Sequence, residues 1–229
     1  MYLNNIGMIA ADTSRSKYYL EELINNQLIP KYILILLGSN NELLPGQKES
    51  KTENDLIGLL DNAGIKYNIA SNNNINSDEV IKVIDERAEK VFIFSGFGGV
   101  LLKNNILDIG KKFLHIHGGY LPDYKGSTTN YYSLIDKNIM GASAIFLTKK
   151  IDSGPIILRK KFSSPVDRTK IDYDYDSEIR AKVLIECLQN YQNSSHWDFE
   201  LENNEGGETF YIIHPVLKHM AILSSRELN

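Results

Sequence analysis

Over the first 118 residues, short apolar runs alternate with stretches of helical period. Residues 6–10 and 32–37 read as strands, the second apolar enough to be buried on both faces. Residues 16–27 read as a helix stopped by Pro30, and residues 52–63 as a helix ended by Gly64. Residues 67–70 form a short strand. Ser77, followed by Asp78 and Glu79, marks the N-cap and acidic first turn of a further helix. Residues 91–94 and 113–117 complete the series as strands. Strands separated by helices imply a parallel sheet covered on both faces. The fold class expected is therefore α/β, Rossmann-like and mostly parallel.

The pattern changes after residue 118. Residues 129–137 and 177–192 read as helices, 142–148 and 155–162 as strands joined by a turn, and 203–207 as a loop. Residues 209–223 read either as a strand then a helix or as one long helix. The Asn-rich run 71–76 reads as a solvated loop. The expected division is a core over residues 1–165 with a helical extension, 166–229, packed on it. At 229 residues and 42% hydrophobic content, the chain has apolar surface enough for such a core.

Charge and cysteine usage narrow the partners. The net charge is −4 and no Lys/Arg block forms a stripe, which argues against nucleic acid. Cys187 is the sole cysteine, so an internal disulfide and a Cys-based zinc site are both excluded. It falls in a helical stretch and reads as a small buried hydrophobe. No run approaches the ~18 apolar residues of a membrane span, and the N-terminus lacks the apolar run of a signal peptide. The expected setting is cytoplasmic, with no membrane partner. The tail over residues 210–220 either packs on the core or makes a homodimer contact, with His214 and His219 read as structural.

Candidate chemistry gathers at the ends of two strands. His115 and His117 lie two apart, so both rings leave the same face of their strand. A Gly-Gly-Tyr-Leu-Pro turn follows at once. Asp152 precedes a Ser-Gly-Pro turn and another apolar strand. Ligands collect at the carboxyl ends of strands in such sheets. A histidine near neutral pH takes up and releases protons. The same three side chains also suit zinc with an open water position, and Asp before Ser-Gly is also ordinary turn chemistry.

Taken together, His115-Ile-His117, Leu121-Pro122, Lys125-Gly126 and Asp152-Ser-Gly-Pro-Ile156 resemble the folate-dependent formyltransferases. In that family Asn-x-His, a Leu-Pro turn, a basic-Gly dipeptide and Asp-x-Gly-Pro-Ile recur in this order. The 35-residue separation of His117 from Asp152 agrees with the family spacing. The resemblance is close over about residues 91–160 and looser back to residue 1. It implies transfer of a formyl group from 10-formyltetrahydrofolate, the formyl donor and sole cofactor expected, to an amine. His117 would donate to the formyl oxygen, and Asp152 would orient His117 and hold a water that relays the amine proton. His115 stands where the family has Asn and would replace it as an N–H donor; a change of chemistry or a metal pair is the other reading.

The resemblance also implies binding residues. Gly96, Phe97, Gly98, Gly99, Val100 and Leu101 would hold the pterin ring, with Thr148, Lys149, Lys150 and Ile151 as the opposite wall. Gly119, Tyr120, Gly126, Ser127, Thr128 and Asn130 would line the acceptor side. No resident metal is expected. Family enzymes acting on initiator tRNA carry an added C-terminal barrel, whereas about 65 residues follow Phe162 here without a basic face. The loop at residues 11–16 lacks the glycines that cradle phosphate in enzymes acting on glycinamide ribonucleotide. An amino sugar on a nucleotide carrier is the small-molecule acceptor these points favour. The alternatives are the glycinamide ribonucleotide reaction, a metal-dependent hydrolase built on His115, His117 and Asp152, and a non-catalytic folate-binding member. Hydrolysis of formyl-folate normally comes with a regulatory domain not found in these residues.

Overall fold

A computed structural model describes residues 2–38, 56–197 and 204–224. Two compact units divide the chain, Met1–Phe113 and Leu114–Asn229. In the first unit, parallel strands β1 (Tyr2–Ala11), β2 (Ile29–Leu36), β3 (Asn68–Ile69) and β4 (Val91–Ser95) pair in the order β3-β2-β1-β4. Every residue of β4 is buried, as are the last six of β1 and the last five of β2. Burial on both faces explains why these strands read as continuous apolar runs rather than as alternating ones. Gly7 permits the close approach of β1 to β4, because a Cβ there would lie 2.5 Å from the Phe92 ring.

Helix α1 (Ser14–Asn25) is capped by Thr13, whose hydroxyl accepts from the Ser16 amide at 3.3 Å. Its end differs from expectation. Pro30 lies inside β2, and the helix stops earlier through its own backbone. Gln27 takes a left-handed φ of 56°, the Gln27 amide donates to the Ile24 carbonyl and the Leu28 amide to that of Leu23. This pair of bonds closes a helix without help from proline, and buried Leu23 and Leu28 supply the apolar contact that goes with it. The same device ends α2 (Leu56–Asn62): Gly64 has φ 66° and the Ile65 amide donates to the Leu60 carbonyl. The expected start of that helix at residue 52 lies outside the described residues. Helix α3 (Asp78–Asp85) begins at Ser77 as expected, with the Ser77 hydroxyl accepting from the Val80 amide.

The Asn-rich run is an ordered loop. Asn76 accepts from the Lys103 amide at 2.8 Å and donates to the Leu101 carbonyl at 3.0 Å, which holds the segment before α4 (Asn104–Leu107).

In the second unit, β5 (Lys112–His117) enters at the division and pairs antiparallel with β7 (Ile139–Phe146), which pairs antiparallel with β8 (Ile156–Ser163). The expected α/β architecture is observed, and the strand pairing is mixed: β1 to β4 pair in parallel, whereas β5, β7 and β8 pair antiparallel. Helix α5 (Thr129–Lys137) matches its expected range, and α6 (Asp176–Ser194) runs slightly beyond it, after a π-helical turn at Ile171–Tyr175. The tail resolves as a strand then a helix, β9 (Glu208–Phe210) and α7 (Pro215–Leu223). Strand β9 pairs in parallel with the short β6 (Tyr124–Gly126). Buried Arg168 clasps α7 by donating to the Ala221 and Ser224 carbonyls at 2.9 and 2.8 Å. Among the described residues, no helix is long and apolar enough to cross a membrane.

Candidate active site

Strand β5 delivers His115 and His117 to one face, while Leu114 and Ile116 are buried on the other. Asp152 arrives from the turn between β7 and β8. A nitrogen from each ring and a carboxylate oxygen of Asp152 all lie within 4.8 Å of one another. The proximity expected of these three side chains is therefore realised, all within the second unit.

His117 is buried and held at both nitrogens. Its Nε2 lies 2.8 Å from the Tyr124 carbonyl oxygen, and its Nδ1 3.4 Å from Oδ2 of Asp152. A carbonyl only accepts, so Nε2 carries the proton in this contact. Burial pushes the imidazole pKa below its ordinary value. The Asp152 carboxylate and the Tyr124 carbonyl act against that, and the Arg180 guanidinium adds to it. His115 is half-buried.

A backbone amide and the Asn204 side chain fix Asp152 from two sides. It adopts a left-handed φ of 47°, a conformation that Asp tolerates better than most residues. The Gly126 amide donates to Oδ2 at 2.8 Å. Asn204 donates from Nδ2 to the carbonyls of Asp152 and Gly154, at 2.7 and 2.8 Å. Gly154 has no alternative, because a Cβ there would lie 1.7 Å from the Phe146 carbonyl oxygen. Lys125, buried, donates from Nζ to the Asn204 carbonyl at 2.8 Å.

A polar brace stands behind the end of β5. Arg180 pairs with Asp176 at 2.8 Å and donates to the Ile116 carbonyl at 3.0 Å, and Asn130 donates to Asp176. A Cβ on Gly118 would run into Arg180, and one on Gly119 would lie 2.6 Å from the Tyr124 carbonyl oxygen and 2.7 Å from Nε2 of His117. The two glycines thus let the chain turn tightly around the histidine.

The residues expected on the acceptor side fall into four groups. Gly126, at φ 95°, and Gly119 sit directly against Asp152 and His117. Asn130 is buried with both amide atoms used internally, on Asp176 and the Gly141 amide. Exposed Thr128 accepts from the Ile213 amide, and the Ser127 amide donates to the Phe210 carbonyl, so both anchor the tail. Tyr120 lies under Arg159 and Lys161, 4.9 and 4.4 Å from its ring centre.

In the first unit, Gly96 is buried under the Phe94 ring, Phe97 is half-buried, and residues 98–101 are exposed at the carboxyl end of β4. In the second unit, Thr148, Lys149, Lys150 and Ile151 are exposed on the turn that leads to Asp152. A cavity of about 420 Å³ opens beside β6, with Tyr124, Tyr132 and Phe210 as aromatic walls and Asp123, Asp136 and Glu208 as carboxylates. It shares Tyr124 with the site, and none of the three clustered side chains lines it.

Sequence reasoning missed Asn204, Arg180 and Asp176. Asn204 lies 52 residues from Asp152, whose backbone carbonyl it holds, in a stretch that reads only as loop. The Asp176/Arg180 pair at helical i,i+4 spacing was visible, but such spacing marks exposed pairs as readily as a brace.

A family model described as Formyl transferase matches residues 6–181. The methionyl-tRNA formyltransferase of Listeria welshimeri is 28% identical over 96 residues, which cover 41% of this chain and 31% of that protein. Formyltetrahydrofolate deformylase 1 of Arabidopsis thaliana, a mitochondrial protein, is 24% identical over 147 residues, 62% of this chain and 45% of that one. The chain thus spans less than half the length of these curated relatives. Among solved structures, an N-formyltransferase from Helicobacter canadensis in complex with folinic acid and dTDP-3-aminofucose superposes with TM-score 0.61 at 16% identity, covering 91% of this chain and 71% of that one.

Proposed function

The chain belongs to the formyl transferase family, and on that premise we propose that it transfers a formyl group from 10-formyltetrahydrofolate to an amine. The observation that carries this reading is the gathering of His115, His117 and Asp152 within 4.8 Å. As the amine attacks the formyl carbon, negative charge grows on the formyl oxygen, and N–H donors aimed there lower the barrier. His115, half-buried, supplies one such donor. His117 supplies the other by exchanging the Tyr124 carbonyl for the formyl oxygen. Asp152 holds the imidazole and, through a water, takes the proton that the amine loses. The folate amine that leaves as the carbon–nitrogen bond breaks takes up a proton in turn. Residues 96–101 and 148–151 are assigned to the donor, and Gly119, Tyr120, Gly126, Ser127, Thr128 and Asn130 to the acceptor side.

The acceptor proposed is an amino sugar on a nucleotide carrier. It is supported by the acidic, unstriped composition and by the fold shared with a sugar-binding N-formyltransferase. Thermal unfolding with 5-formyltetrahydrofolate, in chelator-treated protein, tests the donor pocket. At 100 times Kd the ligand adds about 2.7 kcal/mol, a shift of about 5–10 °C at this chain length. Formyl transfer to dTDP-linked amino sugars then tests the acceptor. The absence of both a shift and transfer to any amine overturns the proposal.

A further inference from the structure

We propose that His115, His117 and Asp152 bind one divalent transition-metal ion of the zinc type. The argument starts at the ring of His117. Its Nε2 faces the Tyr124 carbonyl at 2.8 Å, which leaves Nδ1, 3.4 Å from Oδ2 of Asp152, as the nitrogen directed to a ligand. Both side chains are at most 10% exposed, so an ion held between them is shielded from bulk water. The spacing fits an ion as well, since two ligands each about 2.1 Å from a tetrahedral zinc stand about 3.4 Å apart.

His115 supplies the third ligand, with all three atoms within 4.8 Å. Binding requires the three atoms to draw in to about the 3.4 Å spacing of a tetrahedral site. Groups around the ligands are those that orient metal-binding side chains: a backbone carbonyl on the far nitrogen of His117, and the Gly126 amide on the Asp152 carboxylate. Two imidazoles and one carboxylate select a zinc-type ion over magnesium or calcium, which prefer all-oxygen sites. Three protein ligands leave the fourth position open to water, and half-buried His115 provides the approach. The consequence for activity rests on the proposed transfer function: a bound ion occupies His115 and the Asp152 carboxylate that formyl transfer uses, so ion and transfer exclude each other.

The test uses the whole chain, stripped with a chelator and titrated with zinc against a chromogenic competitor. We expect one zinc per chain. His115→Asn and Asp152→Asn should each weaken binding at least about 100-fold with an unchanged circular dichroism spectrum. Cobalt loading should give the visible absorption of a four-coordinate ion, lost in His115→Asn. Failure of the parent chain to bind zinc overturns the site. So does equal binding by parent and both variants, which would move the ion to exposed His196, His214 or His219. Transfer is assayed separately in chelator. Zinc binding without any transfer retains the site and removes the proposed function; transfer without zinc binding does the reverse. With both present, added zinc should slow transfer in step with occupancy, and transfer unaffected at full occupancy would overturn the exclusion.

Discussion

Replacing Asn204 by alanine removes the clamp on the turn that carries Asp152. Two hydrogen bonds are lost, to the carbonyls of Asp152 and Gly154. Each contributes about 1 kcal/mol net, and an uncovered buried carbonyl costs about 1 kcal/mol or more beyond that. An offset exists, because Oδ1 of Asn204 is itself buried without a partner, and alanine abolishes that cost. The balance is a loss of about 2 kcal/mol, which lowers the unfolding temperature by about 4–8 °C at this length. The lysine bond to the Asn204 backbone survives the change and keeps the segment in place. Thermal unfolding of parent and variant side by side measures the shift. Asn204→Asp sharpens the test, since a carboxylate facing two carbonyls is repelled. Its folded pKa is raised, so relative to the parent chain that variant should gain stability as pH falls through the carboxylate range. A shift under 1 °C for alanine, or an Asp variant no more sensitive to pH than the parent, would refute the clamp.

Four further outcomes are expected. His117→Ala and Asp152→Asn should each lower formyl transfer by about 10²-fold or more with circular dichroism unchanged; a fully active His117→Ala chain would sink the mechanism. Gly119→Ala should cost about 1–3 kcal/mol in urea unfolding, because the new methyl meets the Tyr124 carbonyl and the His117 ring with no room to yield. Burial pushes the Cys187 thiol up to about 12, so thiol reagents at pH 8 should label it only after denaturant is added. Burial raises the Glu89 pKa, but hydrogen bonds from Arg87 and the backbone outweigh it and leave the carboxyl below its ordinary value. The stability this contributes is present above the unfolded pKa and is lost as pH falls, so Glu89→Gln should flatten the parent chain's acid loss below about pH 4.5.

The local signals that were legible share one property: each depends on residues adjacent in the chain. The i,i+2 spacing of His115 and His117 placed both rings on one face because the strand period is two. Ser77 and Gly64 marked a helix start and a helix end because cap geometry is set within one turn. Pro30 misled for the same reason. Proline marks where a helix cannot continue, yet α1 had already closed through Gln27, a residue whose left-handed conformation carries no compositional signal.

By itself, then, the sequence determined the strand–helix alternation, the shared face of the two histidines, the ordered motifs that resemble the formyltransferases, and Cys187 as a buried thiol. Tertiary structure alone decided what surrounds those groups. It brought Asp152 to His117 across 35 residues and Asn204 to Asp152 across 52. It also chose a strand then a helix for the tail, because β6 offered β9 an edge and α5 gave α7 a surface. The orientation of the His117 ring was decided there too, since the Tyr124 carbonyl that holds Nε2 is placed by a turn closed over Gly118 and Gly119. Contacts between distant residues depend on the closure of loops and on the exclusion of water around polar groups, and neither is encoded in the spacing of neighbours along the chain.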